Sequence, residues 1–256
     1  MSMKKARVFT ISSVKGGTGK TTAALNLAGV FANMNLKTLI IDLDLYGGAI
    51  GLSLNIDINK NIFTAIDDMN NNRFTNLDDY IVKYNDDIDV LSSPIDPRLA
   101  SKINVNYINV LLRKARMKYK VIIIDTNHVL NDINLMTFDC SDRIIYVINN
   151  DPTDLKNMKT MLSIHKDMEQ NNYKVILNNS IHKQRNYFSN YDIENIIKGK
   201  IDYIIPSSFH LKNIDKYIMD GKILTLDKKI VKNHKKAYKV FFDLATTLIK
   251  ETEGEE

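Results

Sequence analysis

Short β-branched runs alternate with longer amphipathic stretches along the chain. Arg7–Ser13, Thr38–Leu43, Ile88–Leu91, Lys120–Asp125, Arg143–Asn149, Lys174–Leu177 and Ile201–Ile205 have the length and composition of strands. Several are apolar throughout rather than alternating, Val121–Ile124 and Ile144–Ile148 above all, as a strand reads when both of its faces are covered. Between them apolar residues recur at helical spacing over Lys20–Asn33, Asn106–Met117, Asn131–Phe138, Leu155–Gln170, Asp192–Lys198 and Lys235–Lys250. This alternation predicts a doubly wound α/β fold, a mostly parallel central sheet with helices on both faces. Asn70–Asn72 and Asn171–Asn172 read as turns, and no linker or repeat divides the chain, so residues 1–256 are expected to form one domain.

Composition narrows the class. With 44% hydrophobic and 25% charged residues the chain can build a sizeable core, which excludes disordered and collagenous classes. Its apolar runs fall far short of the roughly 20 residues of a spanning helix. The basic start, Met1–Arg7, lacks the apolar core and cleavage site of a signal peptide, so a cytoplasmic protein is expected. Cys140, the single cysteine, has no partner for an intramolecular disulfide and reads as a small buried residue. His128, His165, His182, His210 and His234 lack ligand spacing and read as surface or helix residues.

The net charge of +5 is unevenly spread. Nine lysines stand against three aspartates between Lys212 and Lys239, whereas Glu251, Glu253, Glu255 and Glu256 make an acidic end, residues 251–256, expected to fray. The basic stretch fits a solvated face, a surface for DNA phosphates or one for anionic lipid. In the last helix Tyr238, Val240, Phe241, Leu244, Ala245, Leu248 and Ile249 form an apolar face, expected to pack on its own domain rather than on a membrane.

The chemistry is concentrated behind the first strand, where Val14-Lys15-Gly16-Gly17-Thr18-Gly19-Lys20-Thr21-Thr22 runs directly into a helical pattern. Glycines let consecutive backbone N–H groups turn inward, and the helix start adds its own unsatisfied N–H groups, so the segment forms an anion cradle suited to a triphosphate. Lys20 reaches the β and γ oxygens, and the Thr21 hydroxyl is placed to ligate Mg2+. The first glycine of the pattern GxxxxGK(S/T) is replaced by Val14, and an additional lysine, Lys15, follows it. A second cation beside the phosphates suits charge that develops during phosphoryl transfer.

On these residues the chain resembles the ParA/MinD family of P-loop ATPases, whose deviant Walker A motif KGGxGK(S/T) matches Lys15 to Thr21. The resemblance implies ATP and Mg2+ as ligands, and a homodimer with ATP sandwiched between subunits, in which Lys15 reaches the partner's nucleotide. Leu39-Ile40-Ile41-Asp42-Leu43-Asp44 ends a strand with two carboxylates on one face, at the edge where open α/β sheets bind ligands. Asp44 matches the family's carboxylate that orients the attacking water, and Asp42 one near the magnesium shell. Val121–Ile124 leads to Asp125, which fits the Walker B position that holds Mg2+ through water. Thr126-Asn127-His128 then replaces the usual proline-containing segment, which implies slow hydrolysis. Asn178, after Lys174–Leu177, matches the element that recognises adenine, and Pro206 the segment on the other side of the base.

Leu43-Asp44-Leu45 with Gly47 and Gly48, Leu91–Pro97 (Leu91 to Asp96 here being followed by Pro97), His128–Asp132 and Gly221-Lys222 resemble the CpaE/TadZ branch, which helps localise pilus or secretion machinery. That resemblance implies a switch whose output is position, with a polar address and a protein partner. The alternatives are a ParA-type partition ATPase on nucleoid DNA and a nucleotide-binding scaffold with little hydrolysis. A bacterial tyrosine kinase is excluded by the tail, which has no tyrosine cluster, and a nitrogenase-type iron protein by the single cysteine.

Overall fold

The apolar runs form the middle of one sheet. The computed structural model describes residues 6–181 and 187–253. Among these the strands are β1 (Arg7–Ser12), β2 (Thr38–Leu43), β3 (Val82–Lys83), β4 (Ile88–Leu91), β5 (Val121–Thr126), β6 (Arg143–Ile148), β7 (Tyr173–Asn178) and β8 (Tyr203–Ile205). They lie in the order β3-β4-β2-β5-β1-β6-β7-β8, parallel except for β3, which runs antiparallel to β4. The doubly wound fold expected from the sequence is the fold found. β3 carries two residues at the sheet's edge, too few for any hydrophobic pattern to show.

The helices are α1 (Lys20–Asn33), α2 (Ile50–Ser53), α3 (Ile62–Asn70), α4 (Val105–Arg116), α5 (Asp132–Cys140), α6 (Pro152–Asp167), α7 (Asn190–Ile197), α8 (Ile214–Met219), α9 (Lys228–Asn233) and α10 (Lys235–Glu253). α3 is not among the helices that the periodicity predicts, although its signals are local. Asn61 accepts from the N–H groups of Phe63 and Thr64, and Thr64 Oγ1 accepts from Asn61 N, a reciprocal cap. Behind that cap Ile62, Ala65, Ile66 and Met69 are buried at helical spacing. α6 starts three residues earlier than expected, because Asp151 caps it and Pro152 is tolerated in a first turn.

Successive residues of β1 enter opposite faces: Val8 joins Leu39, Ile41, Ile122 and Ile124 beneath α3 and α4, while Phe9 and Ile11 join Ile40 and Ile123 beneath α1. α1 is buried nearly all round because α10 covers it with Phe241, Leu244, Ala245 and Leu248. The apolar face of the last helix thus packs on its own sheet and α1, and each large side chain buried there contributes about 1.5–3 kcal/mol. Among the described residues no helix is long and apolar enough to cross a membrane.

Two expectations are corrected. The chain does not fray at Glu251: α10 continues through Glu253, and Glu251 accepts from Lys174 Nζ at 2.6 Å and Arg143 Nε at 3.1 Å. Cys140 is half-buried rather than buried, since it ends α5 at the rim of the α4 contact. Met1–Lys5, His182, Glu255 and Glu256 lie outside the described residues.

Candidate functional site

The carboxyl ends of β1, β2 and β5 meet where the strand order turns about β1, the place at which open α/β sheets form a ligand crevice. From β1 the chain runs through Ser13–Gly19 into α1. Gly17 and Gly19 take left-handed backbone angles, φ 74° and 91°, that glycine adopts without strain. No side chain caps α1, so its first N–H groups are left for a ligand. Lys20 is only 8% exposed; its charge acts on the buried Asp125 and Asp154 carboxyls, but its ammonium makes no hydrogen bond or ion pair among the described residues. Thr18 Oγ1 is likewise buried without a partner. A buried cation in a cradle of backbone donors calls for an anion.

Thr21 Oγ1 donates to Asp125 Oδ2 at 2.6 Å, while Asp125 Oδ1 is buried with no hydrogen-bond partner among the described residues. Hydroxyl and carboxylate make an all-oxygen donor pair, which fits Mg2+ held in part by water and phosphate. Among the described residues no group of three or more His, Cys, Asp or Glu could cage a metal by itself. Asp42 is the register partner of Asp125 on the adjacent strand. Its oxygens accept from Ser93 Oγ at 3.0 Å, Asp44 N at 3.1 Å and Ile50 N at 3.2 Å. Burial pushes both carboxyls above the usual range, and the charge of Asp42 adds to the rise at Asp125. Asp44 stands just past β2, half-buried, and its Oδ1 accepts from Gly47 N at 3.2 Å. The two strand-end carboxylates therefore differ: Asp42 is sealed among protein donors, and Asp44 lies in the open turn.

The two lysines of the loop differ as well. Lys15, with a side chain 38% exposed, pairs with Asp151 Oδ1 at 2.9 Å. Asp151 also caps α6, accepting from Thr153 N and Asp154 N, and the Lys15 ammonium holds its carboxyl below the usual range. Behind it Asp154 is fully buried, accepts from Asn149 N at 2.7 Å, and is pushed up to about 6 by burial. Sequence reasoning missed both acids, although Asp151-Pro152 before an apolar pattern is a helix-start signal. The turn after β5 is fixed by Asn134 Nδ2, which donates to Asn127 Oδ1 at 2.9 Å and Val129 O at 2.6 Å, and His128 lies against Gly16.

Beside the loop a cavity of about 180 Å³ opens between Gly19, Thr22, Asn178, Phe209, His210 and Leu224. Asn178 ties its walls together. Its Nδ2 donates to Thr18 O at 2.9 Å, and its Oδ1 accepts from Ser180 N and Ser180 Oγ at 3.0 and 2.7 Å. Pro206 leads into the Ser207–Phe209 turn, and Phe209 and His210 rather than Pro206 line the cavity. The structure thus gathers the loop from Lys15 to Thr22 with Asp42, Asp125 and Asn178, leaves Asp44 and Pro206 at the margins, and adds Asp151, His128 and His210.

Comparison with known proteins agrees with this fold. An uncharacterized protein of Methanocaldococcus jannaschii is 29% identical over 175 residues, 64% of this chain and 67% of the relative; other curated relatives match over as little as 17% of their length. A ParA family ATPase from Chlorobium tepidum has a similar structure, with a TM-score of 0.78 and 20% identity over 94% of this chain and 98% of that one. MinD of Pyrococcus horikoshii, solved with Mg-ADP, gives a TM-score of 0.76 and 22% identity over 96% and 97%. These likenesses establish the ParA/MinD fold. The AAA domain family AAA_31 matches residues 6–176, two thirds of the chain, and the chain belongs to that family.

Proposed function

We propose that this chain is a slow, Mg-dependent ATPase whose nucleotide state makes and breaks a homodimer, and whose output is the position of a cellular assembly. One observation carries the reading: Lys20 is buried, without a hydrogen bond or ion pair among the described residues, in a glycine loop at the start of α1, next to the Thr21–Asp125 oxygen pair. The Mg-ADP bound by the MinD neighbour supports the choice of ligand.

In this reading the backbone from Gly16 to Thr22 and the Lys20 ammonium hold the phosphates. Thr21 and Asp125 hold Mg2+, and Asp42 supports Asp125 from the adjacent strand. Bound Mg2+ neutralises charge on the phosphates during transfer. Asp44, in the open turn, orients water toward the terminal phosphate. Lys15 leaves Asp151 and reaches the partner subunit's nucleotide, so the ion pair with Asp151 belongs to the dissociated state. Titration of wild type with ATP and Mg2+, followed by phosphate release, tests the reading; tight binding with turnover supports it, and binding without release moves the assignment to a scaffold.

The address follows the CpaE/TadZ resemblance of the segments around Asp44 and Gly221, a pilus or secretion assembly. A second reading, partition on non-specific DNA, is favoured by Lys228, Lys229, Lys232, Lys235 and Lys236, which are exposed and make no ion pair among the described residues. ATP-dependent binding to random-sequence DNA that weakens steeply with salt selects partition; its absence selects the protein partner.

A further inference from the structure

We propose that His210 reads the base of the bound nucleotide, accepting a hydrogen bond from a 6-amino group and so disfavouring 6-oxo purines. This rests on the reading of the glycine loop as a triphosphate site. The cavity adjoins Gly19 and Thr22, at the first turn of α1, so a group attached to phosphates on the loop has this space beside it. Phe209, Leu211 and Leu224 give it apolar walls suited to a flat heterocycle.

Its polar wall groups are few. Asn178, the residue the sequence offers for base contact, has its carbonyl oxygen engaged by Ser180 N and Oγ and one amide hydrogen engaged by Thr18 O. The Ser180 hydroxyl is donated to Asn178. His210 differs in kind. Its Nδ1 lies 2.8 Å from Ser180 O, and a carbonyl oxygen only accepts, so Nδ1 carries the hydrogen. In the neutral ring Nε2 is then an acceptor; His210 is among the residues that line the cavity, and its ring's one hydrogen bond among the described residues is the one at Nδ1. Such a lone pair beside apolar walls has a ligand amino group as its complement. A carbonyl at the same place meets lone pair with lone pair and leaves both unpaired, the arrangement by which polar sites reject close analogues.

ATP and ITP differ in this respect, an amino group or a carbonyl at position 6, and make a direct probe. Equilibrium affinities of the full chain are measured with each triphosphate and Mg2+ at pH 8, for wild type, His210→Ala and His210→Leu, with thermal unfolding to confirm that each variant is folded. Wild type is expected to bind ATP about tenfold more tightly than ITP. Both variants are expected to lose that ratio through weaker ATP binding while ITP binding changes little. A purely structural His210 weakens both ligands together and keeps the ratio, which overturns the proposal, as does a wild type that is indifferent or prefers ITP. A wild type that binds neither triphosphate overturns the nucleotide reading itself.

Discussion

The two ends of the site are built on opposite principles. At the loop end, Thr18 Oγ1 and Asp125 Oδ1 are buried without hydrogen-bond partners, and the buried Lys20 makes no hydrogen bond or ion pair, among the described residues. At the cavity end, Asn178 bonds to Ser180 and to Thr18 O, His210 Nδ1 bonds to Ser180 O, and the rest of the wall is mostly apolar. Unpaired charge makes the first end dependent on a ligand for its electrostatics, whereas mutually bonded polar groups among apolar walls make the second a preformed shape with one open acceptor, His210 Nε2. The ligand is therefore expected to owe its affinity to the loop and its identity to the cavity.

The largest effect is expected from Lys20→Ala, which removes the buried cation from the loop end alone. Triphosphate affinity should fall about a hundredfold, a loss of about 3 kcal/mol, as a charged hydrogen-bonding group is worth. Calorimetric titration reads this directly, and an unchanged affinity would separate the loop from the ligand altogether.

Gly19→Ala strikes the junction of the two ends. The backbone there has φ 91°, and a Cβ would stand 2.6 Å from Asn178 Nδ2. Strained backbone and a displaced Asn178 should cost about 2–3 kcal/mol in urea unfolding and weaken the ligand. Full stability with normal binding would show that the two ends are not coupled through this residue.

Asp154→Asn tests the cost of burying an acid behind the loop. Its folded carboxyl is raised to about 6 from 3.8, so the folded state holds the proton more tightly than the unfolded one. Its contribution to stability is then complete below about pH 4 and is lost as pH rises through about 6. Asparagine keeps the acceptor for Asn149 N and carries no charge, so the variant should exceed wild type by about 2 kcal/mol at pH 8 and match it at pH 4. Chemical unfolding at the two pH values checks the sign; a variant less stable at pH 8 would mean that the carboxylate is held by the Lys15 and Lys20 charges.

The smallest effect on stability, under about 1 kcal/mol, is expected from Asp151→Asn, since the ion pair with Lys15 is partly exposed. Its interest is functional: with Lys15 released, the ATP-dependent dimer should form more readily. Loss of the dimer in light scattering would instead give Asp151 an active part in it.

Legibility in the sequence follows the same division. β1, β2 and β5 were readable because both faces of each are covered, and an apolar run records that by itself. The loop was readable because its chemistry is contiguous from Lys15 to Thr22. The Asp151 partner of Lys15 lies 136 positions along the chain, and His210 owes its role to the carbonyl of Ser180, so neither carries a local signal. Glu251 looked like a loose end because the cations that anchor it, Lys174 and Arg143, belong to strands far away in sequence.

Nucleotide state is expected to control a dimer. Its most direct test is the molar mass in solution of wild type and Asp44→Ala, each with Mg2+ and ADP or ATP, while phosphate release is followed. Monomer is expected with ADP, and with ATP a dimer that decays as wild type releases phosphate and persists in Asp44→Ala. A mass indifferent to nucleotide in both proteins would contradict it.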